Sequence, residues 1–377
     1  MNISRSRSWK TIAAIALAAA ALAGCGGGDT GAAGPQGPTG PAGPAGPQGP
    51  AGPAGTATVN VAALSPEAWE AAEFKATVTK VTVASAPVVE FTVTDQIGNP
   101  VVGLENFTAK SATASVASYP NVSFALAKLM PRTDAKPSSW VSYIVTTVPA
   151  TGGSAAPTRP TTDNTGKLEA VSGSAGSYKY TFYRDVTAIK SQVDAMTVSA
   201  PNDKARLGDL SWQPNLPHRL VLQISGAARG TGTNTANAVQ ATPAVNMANP
   251  INAIYDFIPA TGRALTVAEL TREDVNIDSC NACHGKLAFH GAGARVEVRY
   301  CVVCHTDQRG YGYANSASVA GVFNAATFRE TATVNAATGI TSYNYSPDTR
   351  IADGEVVGNF TTMIHKIHQG HTLVKEN

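Results

Sequence analysis

Hydrophobic and polar positions alternate most regularly between Val89 and Thr94, where Val89, Phe91 and Val93 are separated by Glu90, Thr92 and Thr94. A period of two puts the apolar residues on one face of a strand and the polar ones on the other. Ile97-Gly98-Asn99-Pro100 then predicts a turn. The segments from Trp140 to Thr147, Tyr178 to Tyr183 and Leu220 to Ile224 read as further strands. Loops rich in Gly, Pro, Ser and Thr separate them, such as the one from Pro149 to Pro160. No helical period shows between about Thr56 and Gly262. Short strands at irregular intervals predict a mainly β N-terminal domain, either a Greek-key barrel or a sandwich. Behind it, Leu265 to Glu273 has modest helical character, and regular structure thins out after Asp278-Ser279. Near the end, His365 and His368 stand three apart, so on a helix they share one face.

The front of the chain follows a different pattern. Arg5, Arg7 and Lys10 precede an apolar run from Thr11 to Ala23 that ends at Leu22-Ala23-Gly24-Cys25. A basic stretch, a short apolar run and small residues make a signal peptide, and the run is too short to cross a bilayer. Leu-Ala-Gly-Cys resembles a bacterial lipobox, in which Cys25 is lipidated and becomes the first residue of the mature protein; an ordinary signal peptide with an incidental cysteine is the alternative. Acyl chains add about 0.8 kcal/mol of membrane affinity per buried methylene, so several on one cysteine anchor firmly. From Gly31 to Ala54 glycine then occupies every third position, usually followed by proline. This is collagen-like composition, readable as a triple helix or as a semi-rigid spacer of about 3.1 Å per residue and so roughly 70 Å. The spacer is the simpler reading, with no trimerising domain visible. The expected organisation is a lipoprotein signal peptide and lipobox (1–25), a collagen-like linker (26–55), a β-rich domain (56–262) and an irregular, partly helical last segment (263–377).

Composition narrows the class. The 377 residues carry a net charge of only +2, which leaves no footprint for nucleic acid. Charged residues make up 14 %, well below the usual quarter, as suits an exported β-rich protein. Of the five cysteines, one is Cys25 and the other four fall in two short motifs, Cys280-Asn281-Ala282-Cys283-His284 and Cys301-Val302-Val303-Cys304-His305.

C-x-x-C-H is the attachment signature of a c-type haem. Cys280 and Cys283, and likewise Cys301 and Cys304, would form thioethers with the two vinyl groups of a porphyrin, while His284 and His305 ligate the irons from the proximal side. The same cysteines also satisfy the spacing of a structural zinc site with four thiolate ligands, and two disulfides are a further possibility. A histidine directly behind both cysteine pairs, in a chain with only seven histidines, favours haem, as does export from the cytoplasm. His290, His365 and His368 are the candidate distal ligands. His371 reads as a surface residue, and the lone His218 as a structural or exposed one. Ligation by two histidines leaves no open iron position and favours low-spin, electron-transferring iron. Arg295, Arg299 and Arg309 are candidates to pair with haem propionates, or are simply solvated.

Taken together, the lipobox, the β-domain phrases Val89 to Leu104 and Phe124 to Met130, the motif Cys-x-x-Cys-His-x-x-Leu-x-x-His-Gly, a second Cys-x-x-Cys-His and Met363-Ile364-His365-Lys366-Ile367-His368 resemble the OmcA/MtrC family of outer-membrane decahaem c-type cytochromes. The resemblance covers roughly residues 60 to 377. It implies a split β-barrel beside an irregular, partly helical multihaem segment, displayed on the outer surface of the outer membrane. It further implies electron delivery by an outer-membrane porin–cytochrome conduit and acceptors such as extracellular metal oxides, metal complexes or flavins. Membrane contact is then through the lipid anchor alone. Two departures stand out. His290-Gly291-Ala292-Gly293-Ala294-Arg295 is a looser form of the family's histidine-glycine-glycine-x-arginine. The family has ten haem motifs where this chain has two, so the chain is expected to be the front of a longer protein or a truncated product, with further haems if it continues.

The expected function is therefore that of an electron-transfer protein rather than an enzyme, with metal-reductase activity at exposed haems left open. A multihaem reductase of a small oxyanion is one alternative; it would need an open iron position and acid–base groups, and nothing marks them. A non-haem, zinc-binding structural surface lipoprotein is the other.

Overall fold

The computed structural model describes residues 57–134, 137–270, 275–314, 331–334, 337, 341–344, 351–352 and 355–369. The chain divides into two units, Met1–Pro53 and Ala54–Asn377, and the described residues all lie in the second. The signal peptide, Cys25, the whole of the Gly-x-y linker and His371 lie outside the described residues.

The first elements are β1 (Val59–Asn60), helix α1 (Pro66–Glu70), β2 (Phe74–Thr82), β3 (Val88–Asp95), β4 (Val101–Val102), β5 (Val122–Met130) and β6 (Ser139–Ser142). There follow β7 (Lys167–Ala170), β8 (Ser177–Thr181), α2 (Ile189–Ala195), β9 (His218–Ile224), β10 (Ile251–Ile258) and β11 (Arg263–Ala264). The remainder contributes α3 (Ile277–His284), α4 (Val298–Cys304), the paired strands β12 (Thr331–Val334) and β13 (Thr341–Asn344), the pair β14 (Ile351–Ala352) and β15 (Glu355–Val356), and α5 (Phe360–Gln369).

The front is mainly β, as its alternation implies. Two antiparallel sheets, ordered β2-β3-β8-β7 and β11-β10-β9-β5-β6, share one apolar core. Val89, Phe91 and Val93 of β3 face Phe124 and Leu126 of β5, and Leu220, Leu222 and Ile224 of β9 complete that face. Aromatic rings span the layer: Phe91 stacks on Tyr178 at 5.3 Å and Phe124 on Tyr180 at 4.1 Å.

Several local expectations need correction. The middle region contains two short helices. Ser65 caps α1 by accepting from the Ala68 amide (3.2 Å), with Pro66 at the first helical position. Such five- and seven-residue helices are too short to show a period. The Trp140 strand ends at Ser142, and Tyr143, Ile144 and Val145 enter the core from irregular chain. Leu265 to Glu273 yields only a 3-10 turn at Val267–Glu269 among its described residues, closed by the reciprocal Thr266–Glu269 cap. Both cysteine motifs, where regular structure was expected to thin out, fall at the ends of short helices.

The five-stranded sheet is what positions those helices. Its inner face belongs to the first core, and its outer face carries Ala125, Ala127 and Leu129 of β5 with Val221 of β9. Small alanines let α4 approach closely, and Val298, Tyr300, Val302, Val303 and Cys304 bury against them. Ile277, Cys280, Met363 and Ile364 pack around this second core, to which Phe360 also belongs. β5 is therefore covered on both faces, which is why Val122 to Met130 is nearly continuously apolar. Arg219 of β9 seals the layer: it pairs with Asp256 (2.8 and 3.0 Å), lies 4.5 Å over the Trp140 ring and donates to the Arg299 carbonyl at 3.2 Å.

Candidate haem-binding site

α3 forms because Asn276 accepts from the Asp278 amide at 2.9 Å, and it stops at Gly285, whose φ of 66° suits glycine. Cys280 and Cys283, three apart, share a face of this helix, and His284 is its last residue. None of its residues is buried. α4 starts from Glu297, which accepts from the Arg299 amide at 3.0 Å, and places Cys301 and Cys304 in the same relation, with His305 at its end. Here five of seven residues are buried. Burial pushes the Cys301 thiol up to about 11 and raises that of Cys304 as well, so both stay protonated.

The structure brings the histidines together in two pairs. The rings of His284 and His368 lie 6.1 Å apart, centre to centre, with planes at 76°. Those of His290 and His305 lie 5.9 Å apart at 41°. Each pair joins one motif histidine to one from elsewhere in the chain. A metal–imidazole nitrogen bond is about 2.0 Å and the ring centre sits about 1.1 Å behind the nitrogen, so two imidazoles on opposite sides of one iron have centres about 6.2 Å apart. Both pairs fit that span.

Hydrogen bonds aim two of these rings. The Nδ1–H of His305 donates to the Gly358 carbonyl at 3.1 Å, and the Nδ1–H of His368 donates to the Ile364 carbonyl at 2.9 Å. Each leaves Nε2 with its lone pair open, the usual arrangement of a metal-bound histidine. Burial lowers His305 to about 4, with the charges of Arg309 and Arg295 adding to the effect, so the ring is neutral and able to ligate. His218 differs: its Nδ1 donates to the Leu216 carbonyl at 2.8 Å and its Nε2 meets the Tyr143 hydroxyl at 3.3 Å, both nitrogens being used inside the first core.

His290 sits at φ 62°, unusual for a residue with a side chain. Phe289 and Arg295 exchange backbone bonds of 3.0 and 3.1 Å, and the Gly293 amide donates to the His290 carbonyl at 2.7 Å. The loop is thereby closed into a tight knuckle that holds His290 toward His305. Gly293, at φ 70°, makes the return. His365 is exposed on α5 and has no ring partner among the described residues.

The donor chemistry suits haem better than a metal ion. Cys280, Cys283, Cys301 and Cys304 are all free thiols. Among the described residues, no three His, Cys, Asp or Glu side chains converge on a metal-ion site, so the four cysteines are not gathered as a zinc knot requires. Two residues absent from the sequence reading help position the second motif. Gln308 exchanges bonds with the Ser142 backbone (2.8 and 2.9 Å) and donates to the Leu207 carbonyl at 2.8 Å, tying the turn after His305 to β6. Gly358 supplies the carbonyl for His305. A glycine just ahead of an asparagine and an apolar helix was a usable signal for the latter; nothing in Thr-Asp-Gln-Arg marked Gln308.

Two C-x-x-C pairs, one at the surface and one partly in the core, each followed by a histidine that faces a second imidazole, are an arrangement that a multihaem c-type cytochrome would use. Residues 272–377 match the family described as "Outer membrane cytochrome MtrC/MtrF-like, domains II/IV". The chain is 29 % identical over 231 residues to the multiheme cytochrome MtrC of Shewanella baltica (strain OS185), covering 58 % of this chain and 25 % of that protein. It thus spans about a quarter of the length of the curated relative it matches. Among solved structures, MtrC from Shewanella baltica OS185 aligns with a TM-score of 0.37 at 25 % identity, over 62 % of this chain and 29 % of that one. The outer membrane decaheme cytochrome OmcA aligns with a TM-score of 0.40 at 23 % identity, over 67 % and 32 %. The family model and the curated relative bear out the resemblance to the OmcA/MtrC family of outer-membrane cytochromes. Among the described residues no helix is long and apolar enough to cross a membrane.

Proposed function

We propose that the chain carries two c-type haems, attached at Cys280 and Cys283 and at Cys301 and Cys304, and conducts electrons at the cell surface. One iron is held between His284 and His368, the other between His290 and His305. The observation that carries this reading is the pair of ring separations, 6.1 and 5.9 Å, each joining a motif histidine to a distant one. When bound, haem supplies a one-electron iron couple at each site. The chain's own residues fix the ligands. Gly358 and Ile364 orient two imidazoles, the 289–295 knuckle presents a third, and the second core excludes water from Cys304. Two histidines would hold each haem iron and leave it no position for a small substrate, which supports electron transfer over oxyanion reduction. His365 is surplus to these two irons.

The extended reading places the protein on the outer membrane, lipidated at Cys25 and held off by the Gly-x-y spacer. It receives electrons from a porin–cytochrome conduit and passes them to metal oxides, metal complexes or flavins. Its support is the family resemblance and the leader sequence. The ligand assignment is tested by spectroscopy of the haem-loaded protein: His368→Ala and His290→Ala should each convert one of two low-spin haems to high spin, and His365→Ala neither. A His365→Ala conversion with His368→Ala silent would overturn the pairing.

A further inference from the structure

His284 and His290 ride on one short piece of chain, yet they face different imidazoles. The start of β10 and the residues just ahead of it hold that piece at both ends. At its front, the Gly285 amide donates to the Asn281 carbonyl at 2.9 Å and the Leu287 amide to Asn281 Oδ1 at 2.7 Å, which joins Lys286 firmly to the end of α3. The Lys286 ammonium donates to the Ala248 carbonyl at 2.8 Å and to Asn249 Oδ1 at 3.1 Å. These acceptors are themselves fixed. The Ala248 amide donates to the Glu70 carbonyl at 3.0 Å, and the neighbouring Met247 is buried in the first core. Since α3 buries none of its own residues, these charge-assisted bonds supply a hold that burial does not.

At the back, Arg295 is bonded along both edges of its backbone. Its own N–H and C=O exchange bonds with Phe289 and close the knuckle that presents His290. On the opposite edge Asn252 of β10 donates to the Ala294 carbonyl at 3.1 Å and accepts from the Val296 amide at 2.8 Å. A side-chain carboxamide thus stands where the peptide group of a neighbouring strand would. Gln223, directly across from Asn252 on β9, accepts from Arg295 Nε at 3.5 Å. Asparagine is a poor strand former, and this double bond gives it a reason to stand in β10.

We propose that residues 248–252 are a jig that fixes the two irons relative to one another, with Lys286 and Asn252 as its positioning residues. One ligand of each iron is carried between two pins on the same five residues. The opposite ligands, His368 and His305, are aimed independently, from Ile364 and Gly358. Groups that orient a metal-bound imidazole tune the metal without touching it. Electron transfer between two haems falls steeply as they separate, so a jig that sets the spacing of His284 and His290 also sets the relay. The β domain thereby takes part in conduction rather than only carrying the haem segment. This inference rests on the two-haem reading and names the part of the β domain that serves it.

The test is electron paramagnetic resonance of the exported, haem-loaded protein, with haem stoichiometry measured on the same samples. Crossed imidazole planes give low-spin iron an axial signal and planes nearer parallel a rhombic one, so the pairs at 76° and 41° mark their irons separately. Lys286→Met should shift and broaden the axial signal alone, and Lys286→Arg, which keeps the charge and the donors, should restore it. Asn252→Ala should shift the rhombic signal alone. In the same variant the Val296 amide, having lost its acceptor, should exchange its hydrogen roughly fivefold faster. Two bound haems with wild-type signals in both Lys286→Met and Asn252→Ala would overturn the jig while leaving the ligand assignment standing. A wild-type chain without haem would overturn the underlying reading, and the jig with it.

Discussion

The same five-residue motif occurs twice in this chain in opposite surroundings. On α3 it is laid on the surface, with Cys283 and His284 exposed and no residue of the helix buried. On α4 it is part of a core: the intervening Val302 and Val303 pack against β5 where the first motif has Asn281 and Ala282. The residues between the cysteines, free as far as attachment chemistry is concerned, decide which site is wet. Exposure and nearby charge are two of the levers that tune a haem. Were each motif to carry the haem proposed above, the two irons would differ in potential, the outer one suited to exchange with solution and the inner one to relay.

The comparison breaks most readily at its hydrophobic half. Val303 is fully buried, and Val303→Asp would strand a charge in the second core, costing at least about 3 kcal/mol. Ala282→Asp at the equivalent position of the exposed motif should stay within about 0.5 kcal/mol. Denaturant unfolding of the two variants would show the asymmetry, and equal losses would mean that the two helices are equally packed. A histidine outside both sites sharpens the contrast. His218 is held by burial at about 4, below the ordinary 6.5, with both ring nitrogens engaged. Unfolded chain therefore binds a proton that the fold refuses, so stability rises with pH between about 4 and 6.5 and levels off above. The window is worth roughly 3 kcal/mol. Unfolding midpoints followed over this range in wild type and His218→Gln should show the slope reduced in the variant. Gln308→Ala comes next: it strands the Ser142 amide and the Leu207 carbonyl, costing roughly 2 kcal/mol by denaturant unfolding, and should disturb the inner haem's spectrum but not the outer one's. The smallest expected effect is at His290: with φ at 62°, His290→Gly removes backbone strain of about 1 kcal/mol, so the polypeptide should unfold no more easily than His290→Ala, although both lose the ligand.

How far the sequence could be read follows the same division. The alternation of β3, the turn at Gly98 (φ 95°) and the apolar run of β9 were legible because each encodes its own local geometry. The doubled burial of β5 was not, since a continuous apolar run leaves open what covers its second face, and β10 passed unread for want of a clear period. The motif residues were legible because attachment chemistry fixes their spacing. The pairing of His368 with His284 and of His290 with His305 was not, because it depends on how α5 and the 289–295 knuckle pack, at separations of 84 and 15 residues along the chain. His365 and His368 both stand on α5, but their three-residue spacing does not tell which of the two meets a partner. Gln308 is polar and ordinary in sequence, and only the edge of β6 gives it a role.

The central claim is that two porphyrins are bonded through sulfur to this chain. Intact-mass measurement of the exported, denatured protein tests it most directly, because thioether-bound haem survives unfolding and a coordinated metal ion does not. The expected result is the polypeptide plus two haem masses, falling to one in the Cys280→Ser/Cys283→Ser variant and again to one in Cys301→Ser/Cys304→Ser. A correctly exported chain with the mass of polypeptide and lipid alone would contradict it.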